Sequence, residues 1–307
     1  MKKHYIGILL ALFGSLLYST KAIFVKLAYQ YDVDTITILA LRMLSALPFY
    51  LLIQLIYRRR GQKITALPRH WAGLMVAAFL GYYLASFLDF WGLQFIDASV
   101  ERLILFTYPT FIVIIARVWL KEPITKHQLG AIALSYIGLL WVFSPQLTEF
   151  SIDKAFLTGA TAILGCAVSF ALYMIMSQQL ISKFGATKYT GYAMTFACCL
   201  VIGHYAATES LDHILSLEKP VYLYGFSMGI IATVIPSYMI NAAINAIGAS
   251  RTAIIASVGP VSTITLAYFL LDERLTWAQW TGTAFIILSV TFISLEKIKL
   301  RKKRGLS

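Results

Sequence analysis

Residues 98–128 of this chain occur twice. Shifted by 151 positions they fall on residues 249–279, and nine of the 31 pairs are identical without a gap. The matches include Pro109 with Pro260 inside an apolar run, then Glu122, Thr125 and Gln128 with Glu273, Thr276 and Gln279. A duplicated unit has to be recognised before a fold is assigned, because missing it misassigns the whole architecture. The apolar run 99–120 is long enough, at about 1.5 Å per residue, to cross a hydrocarbon core of about 30 Å. Pro109 stands near its middle and leaves the Leu105 carbonyl without a helical donor; Pro260 does the same to Ala256. In lipid, a freed carbonyl is tolerated only against protein or a wet cavity. Thr125-x-x-Gln128 and Thr276-x-x-Gln279 read as capping boxes that start the next helix. Paired interruptions at matching places of two halves point to a transporter binding site.

The rest of the composition fits that reading. Of 307 residues, 59% are hydrophobic and 13% charged, with a mean hydropathy of +0.74. That excludes a soluble domain, and the alternating pattern of a membrane barrel is absent. The fold class is therefore an all-α polytopic membrane protein. Ten spans are predicted, at 5–29, 35–57, 71–95, 99–120, 127–146, 156–180, 188–208, 221–246, 250–271 and 277–296. The apolar segment after the basic start resembles a signal peptide, but Lys21 and Lys26 follow it and no small-residue cleavage pattern is evident, so it reads as a retained first span. Cys166, Cys198 and Cys199 all lie in apolar segments, which indicates no disulfide framework.

Charge sets the orientation. With the N-terminus inside, the cytoplasmic segments hold 18 Lys and Arg and the outer loops hold three. Both termini are thus expected in the cytoplasm. The formal charge of +12 resides largely in these flanks, including Arg58–Arg60 and the basic tail, so it reads as topology signal and anionic-lipid contact rather than nucleic-acid binding. Five spans per repeat is an odd number, so the copies enter the membrane from opposite sides. The expected organisation is two inverted five-helix repeats, 1–148 and 149–307.

Gly248-Ala249-Ser250-Arg251, Pro260, Leu271-Asp272-Glu273-Arg274-Leu275-Thr276, and Gly14-Ser15 followed by Lys26 are similar to motifs of the EamA family in the drug/metabolite transporter superfamily. The resemblance covers about residues 5–296. It implies ten helices, a central cavity lined by helices 1, 3, 4, 6, 8 and 9, and export or exchange of small metabolites. It does not choose among amino acids, nucleosides, vitamins and other polar solutes.

Ionisable groups inside spans are costly, and each is a functional hypothesis. Lys21, Arg42, Asp89, Glu101 and Arg102 all fall in the outer halves of helices 1–4, while the second repeat has Ile240, Thr252 and Ala253 opposite Asp89, Glu101 and Arg102. Tyr82, Ser86 and Asp89 share one helical face. Asp89 either holds a substrate amine or a proton, or pairs with Lys21 or Arg42. Glu101 and Arg102 lie near the outer boundary, either at a cavity mouth or snorkelling to water; Tyr108 continues the Glu101 face inward. Gly14 reads as close helix packing. The second half offers neutral groups: Ser237 and Asn241 on one stripe of helix 8, neighbouring Tyr238, and Tyr173 in the place of Lys21. Pro236 frees the Ala232 carbonyl. These polar groups either line a cavity or bond neighbouring helices.

No phosphate-binding loop, zinc-protease motif or metal-ligand spacing is found, so no cofactor, metal or catalytic group is expected. The predicted partners are a small-molecule substrate and the lipid bilayer, with neither nucleic acid nor an obligatory protein partner evident. The expected function is a secondary transporter of the inner (plasma) membrane for a small polar metabolite, foremost an amino acid or related zwitterion. An organic anion, a nucleoside or vitamin, and a passive facilitator or channel are the alternatives.

Overall fold

The structure, a computed structural model, describes residues 2–59, 66–96, 101, 104–142 and 154–256, and scattered positions between 258 and 289. Helix α1 runs Lys2–Ser19 and resumes as Lys21–Tyr29. Helix α2 is Thr35–Arg59, and α3 runs through Pro68–Ala78, Phe79–Leu84 and Ala85–Gly92. Helices α4, Tyr108–Trp119, and α5, Lys126–Val142, complete the first half as described. The second half contains α6, Lys154–Phe184, α7, Ala186–Thr208, and a short helix at Leu211–Leu215. Helix α8 then runs through Lys219–Gly229, Ile230–Val234 and Ile235–Ile247, and α9 covers Ala249–Ala256. Five described helices are long and apolar enough to cross a membrane: His4–Tyr29, Thr35–Tyr57, Pro68–Gly92, Lys154–Phe184 and Lys219–Ile247. Arg102, Pro260, the second capping box and most of the expected tenth span lie outside the described residues.

The helix interruptions differ in detail from the sequence expectation. Pro109 does not sit within a continuous helix. The winding stops in a turn at Phe106–Thr107, and Pro109 occupies the first turn of α4, where its fixed φ and missing N–H are suited. Pro236 likewise stands in the first turn of Ile235–Ile247, just after the π-helical turn Ile230–Val234. There the Thr233 hydroxyl donates to the Met228 carbonyl at 2.8 Å. Helix α3 has a π-helical turn in the matching place, Phe79–Leu84, without any proline. Its Gly81 lies so close to α6 that a Cβ would come 2.2 Å from Cγ of Tyr173. Helix α1 breaks at Thr20, and α2 carries Pro48 in its interior; neither was anticipated. The serine and threonine hydroxyls of α1 donate back to carbonyls three or four residues earlier, a habit that bends helices.

The strongest helix pairings all join one half to the other. Helix α1 packs along α8, and α3 along α6; α2 lies against α7 and α8; α4 lies against α6, and α9 against α1. Exchanging α1–α4 with α6–α9 maps this pattern onto itself. On α1, Gly7 and Gly14 allow the approach to α8, since a Cβ at Gly14 would meet Cβ of Met239 at 3.1 Å. The packing role read for Gly14 is what the structure contains. Thr125 and Gln128 form the capping box as read: the Thr125 N–H donates to Gln128 Oε1 at 3.0 Å, and the Gln128 N–H to Thr125 Oγ1 at 3.1 Å.

Candidate functional site

A cavity of about 90 Å³ lies where the two halves meet. Five of the sequence candidates line it: Lys21 from α1, Arg42 from α2, Tyr82 and Ser86 from α3, and Tyr108 from α4. Helix α6 contributes Phe170 and Met174, α8 contributes Ile240, and α9 contributes Ala256. Helix α2 thus joins the six helices that the sequence resemblance implied. Tyr18, on the helical face of Lys21, adds aromatic wall, as do Phe106 and Phe170, which were not singled out.

The charges are arranged unequally. Lys21 Nζ donates to Asp89 Oδ2, with the lysine side chain 11% exposed and the aspartate fully buried. Of the readings open for Asp89, the structure therefore contains the pair with Lys21. A buried ion pair mainly avoids the large cost that either member would incur alone. Arg42, 1% exposed, pairs with no carboxylate among the described residues. Its Nε donates to Thr233 Oγ1 at 2.7 Å and its Nη1 to Ser86 Oγ at 3.3 Å. Both cations stand over the Phe90 ring, Lys21 at 5.6 Å and Arg42 at 5.5 Å from its centroid. Thr233 carried no signal in the sequence, because a threonine in an apolar run is usually tied to its own backbone.

Beside the cavity, Tyr82, Tyr173 and Asn241 close a ring of hydrogen bonds. The Tyr173 hydroxyl donates to Asn241 Oδ1 at 2.9 Å, Asn241 Nδ2 donates to the Tyr82 hydroxyl at 3.3 Å, and the two hydroxyls are 2.6 Å apart. With both other directions fixed, Tyr82 donates to Tyr173. A shift of 152 carries Lys21 onto Tyr173 and Asp89 onto Asn241. The sequence comparison set Ile240 opposite Asp89, one residue out. Asp89 to Ala98 is one residue longer than Asn241 to Ala249, and the contacts fix the register that a gapless shift misses.

Besides Asp89, Tyr173 and Asn241, three more candidates lie outside the cavity lining. Ser237 accepts from the Tyr50 hydroxyl at 2.8 Å and donates to the Val234 carbonyl at 2.8 Å. Tyr238 packs against Tyr50 with ring centroids 5.8 Å apart and the ring planes tilted by 39°. Glu101 is fully buried, so the snorkelling alternative is overturned: that carboxylate does not reach water. A second polar cluster joins the halves at one end of the bundle. Gln178 Nε2 donates to Glu122 Oε1 at 2.8 Å, and the Ala249 N–H donates to Gln178 Oε1 at 2.6 Å, beside a cavity of about 310 Å³. The shift of 152 carries Lys26 onto Gln178, and Lys26 donates to the Leu93 and Ile96 carbonyls at 3.0 and 3.2 Å.

The profile of the EamA-like transporter family matches this chain twice, over residues 5–144 and 157–295. The chain belongs to the EamA-like transporter family. It is a multi-pass membrane protein with two EamA domains, and membership in a transporter family implies a non-enzyme. Among curated relatives, this EamA protein is 29% identical over 307 residues to the uncharacterized transporter YcbK of Bacillus subtilis, covering 97% of this chain and 95% of the relative. It is 27% identical over 201 residues to the uncharacterized inner membrane transporter YicL of Salmonella typhimurium, covering 65% of each. One protein of known crystal structure shares the EamA chain's fold with a TM-score of 0.76 at 16% identity, covering 96% of this chain and 98% of the other.

Proposed function

We infer that this protein is a secondary transporter of the inner membrane that moves a small polar metabolite by alternating access. Two five-helix halves, residues 1–148 and 149–307, sit in the bilayer in opposite orientations, with both termini cytoplasmic. The central cavity is the solute site, and Lys21, Arg42, Tyr82, Ser86, Asp89 and Tyr108 are its first group of binding residues, backed by Tyr173 and Asn241. The single observation that carries this reading is the placement of buried charge: Lys21, Asp89 and Arg42 meet at a cavity between the halves, where ionisable groups are expensive unless they are used. The exchange symmetry of the helix packing supports the inverted arrangement. The inner membrane is supported by the name of the Salmonella relative, an inner membrane transporter, and by the basic flanks.

An amino acid or related zwitterion, exported or exchanged, fits the mixture of charges in the sequence. The engagement of Asp89 by Lys21 favours the second reading, an organic anion, because among the described residues it leaves the cavity with two cations against one carboxylate. Purified protein in proteoliposomes should carry at least one solute from a panel of amino acids and organic acids faster than empty vesicles do. Uptake should saturate and show counterflow. A panel that leaks no faster than through empty vesicles overturns the reading; flux without saturation or counterflow replaces the carrier with a passive pore.

A further inference from the structure

Arg42 is the cation of the cavity for which the described residues supply no counter-charge. Its acceptors, Thr233 Oγ1 and Ser86 Oγ, are neutral hydroxyls, weaker partners for a guanidinium than a carboxylate. Its Nη2 makes no hydrogen bond to a described residue. Phe90 offers a ring face, but Lys21 stands over the same ring. Lys21 in turn occupies the Asp89 carboxylate. The guanidinium is held by Thr233 from the second half and Ser86 from the first, so it is aimed before any ligand arrives.

We propose that Arg42 anchors a carboxylate on the transported solute, and that the solute is a small monocarboxylate with an apolar or planar body. This rests on the carrier reading above. A guanidinium presents paired N–H groups in a planar fork that matches a carboxylate. Nη2 is available to it, and Nη1 has only its 3.3 Å bond to Ser86 Oγ. The remaining wall is mainly aromatic and aliphatic, from Tyr18, Phe106, Tyr108 and Phe170 to Ile240, with the hydroxyls of Ser15 and Ser19 bonded to their own helix, which suits a body without further charge. An ammonium group would have to displace Lys21 from Asp89, so a zwitterion binds less well than the acid of the same skeleton. A dianion would exceed the one positive charge left uncompensated among the described residues.

The test compares 3-methylbutanoate, its amide and leucine, and phenylacetate with its amide, for binding in detergent and for flux in proteoliposomes. Wild-type protein should bind each carboxylate about tenfold or more tighter than its amide, and 3-methylbutanoate tighter than leucine. Arg42→Gln should remove that preference while the amides change by less than about threefold; Arg42→Lys should keep part of it. If Arg42→Gln does not fold, Thr233→Val, which removes the hydroxyl that aims the guanidinium, should weaken the carboxylates and spare the amides. Equal binding of acid and amide, tighter binding of leucine, or an unchanged preference in Arg42→Gln would each overturn the proposal. Flux of any solute alongside those results leaves the carrier standing, whereas wild-type vesicles that pass no solute overturn the carrier itself.

Discussion

Lys21 on α1 is paired with Asp89 on α3, and the counterpart of that pair in the second half is the uncharged bond from Tyr173 on α6 to Asn241 on α8. The same helix pair is therefore tied by charge on one side of the pseudo-symmetry and by a neutral hydrogen bond on the other. A charged tie responds to ions and solutes in the cavity; a neutral one holds its geometry.

Breaking the charged tie from either side should be costly. Lys21→Met or Asp89→Asn alone leaves a charge buried without its partner, at about 3–5 kcal/mol of destabilisation. The double variant Lys21→Met/Asp89→Asn should recover most of that loss in thermal unfolding. Recovery of stability without recovery of flux would separate a functional pair from a merely structural one. Asp89→Asn should also impair transport more than Glu101→Gln, because Asp89 is bound to the cavity-lining Lys21. Equal tolerance of both changes in a flux assay would count against the site.

The neutral tie yields a different signature. Tyr173→Phe strands the Asn241 acceptor and the Tyr82 donor together, at about 1–3 kcal/mol for each buried group. Ser237→Ala strands only the donor of Tyr50 and should cost less. Thermal unfolding of both variants orders them, and the reverse order would mean that the closed ring is not made in the folded protein.

Gly81→Ala tests the close contact between α3 and α6. The added methyl would overlap the Tyr173 ring, and overpacking of this kind costs about 1–3 kcal/mol or more. Tyr173→Leu in the same chain should relieve part of the loss. Full stability in the single variant would show that the π-helical turn of α3 can move away from α6.

The parts of this picture legible in the sequence are those where chemistry leaves few choices. Buried Lys21, Arg42 and Asp89 had to find partners or a cavity. The capping box at Thr125 and Gln128 had only one way to close. The break near Pro109 and the one at Pro236 follow from a missing N–H. The π-helical turn of α3 was not legible, because no proline marks it and its Gly81 is explained only by Tyr173 on another helix. Ser237 and Asn241 share a stripe four residues apart, yet the first bonds to Tyr50 and the second joins the ring with Tyr82 and Tyr173. Helical spacing says which residues share a face; it does not say what that face meets.

Gln178 should act as a clasp between the halves. Its amide donates to Glu122 and accepts from the Ala249 N–H at once, which neither a carboxylate nor an alkyl group can do. Gln178→Glu sets two carboxylates against each other, and Gln178→Leu removes both bonds. Either change should raise the rate at which a cysteine introduced at Ser250 reacts with a membrane-impermeant thiol reagent, with Gln178→Glu the faster. Unchanged labelling in both variants would mean that other contacts hold this end closed.

The last prediction concerns orientation, on which alternating access depends. Glu122 and Glu273 end equivalent runs in the two repeats, and under the proposed five spans per repeat these ends should face opposite sides of the membrane. An epitope inserted beside Arg60 should be reachable only after the cells are permeabilised, because the basic segment there is held inside by the positive-inside bias. An epitope between Asp272 and Arg274 should be reachable in intact cells. If both epitopes label on the same side, the repeats are not inverted. The two halves would then lack the pair of mirror-related states that lets one cavity open first to one side and then to the other.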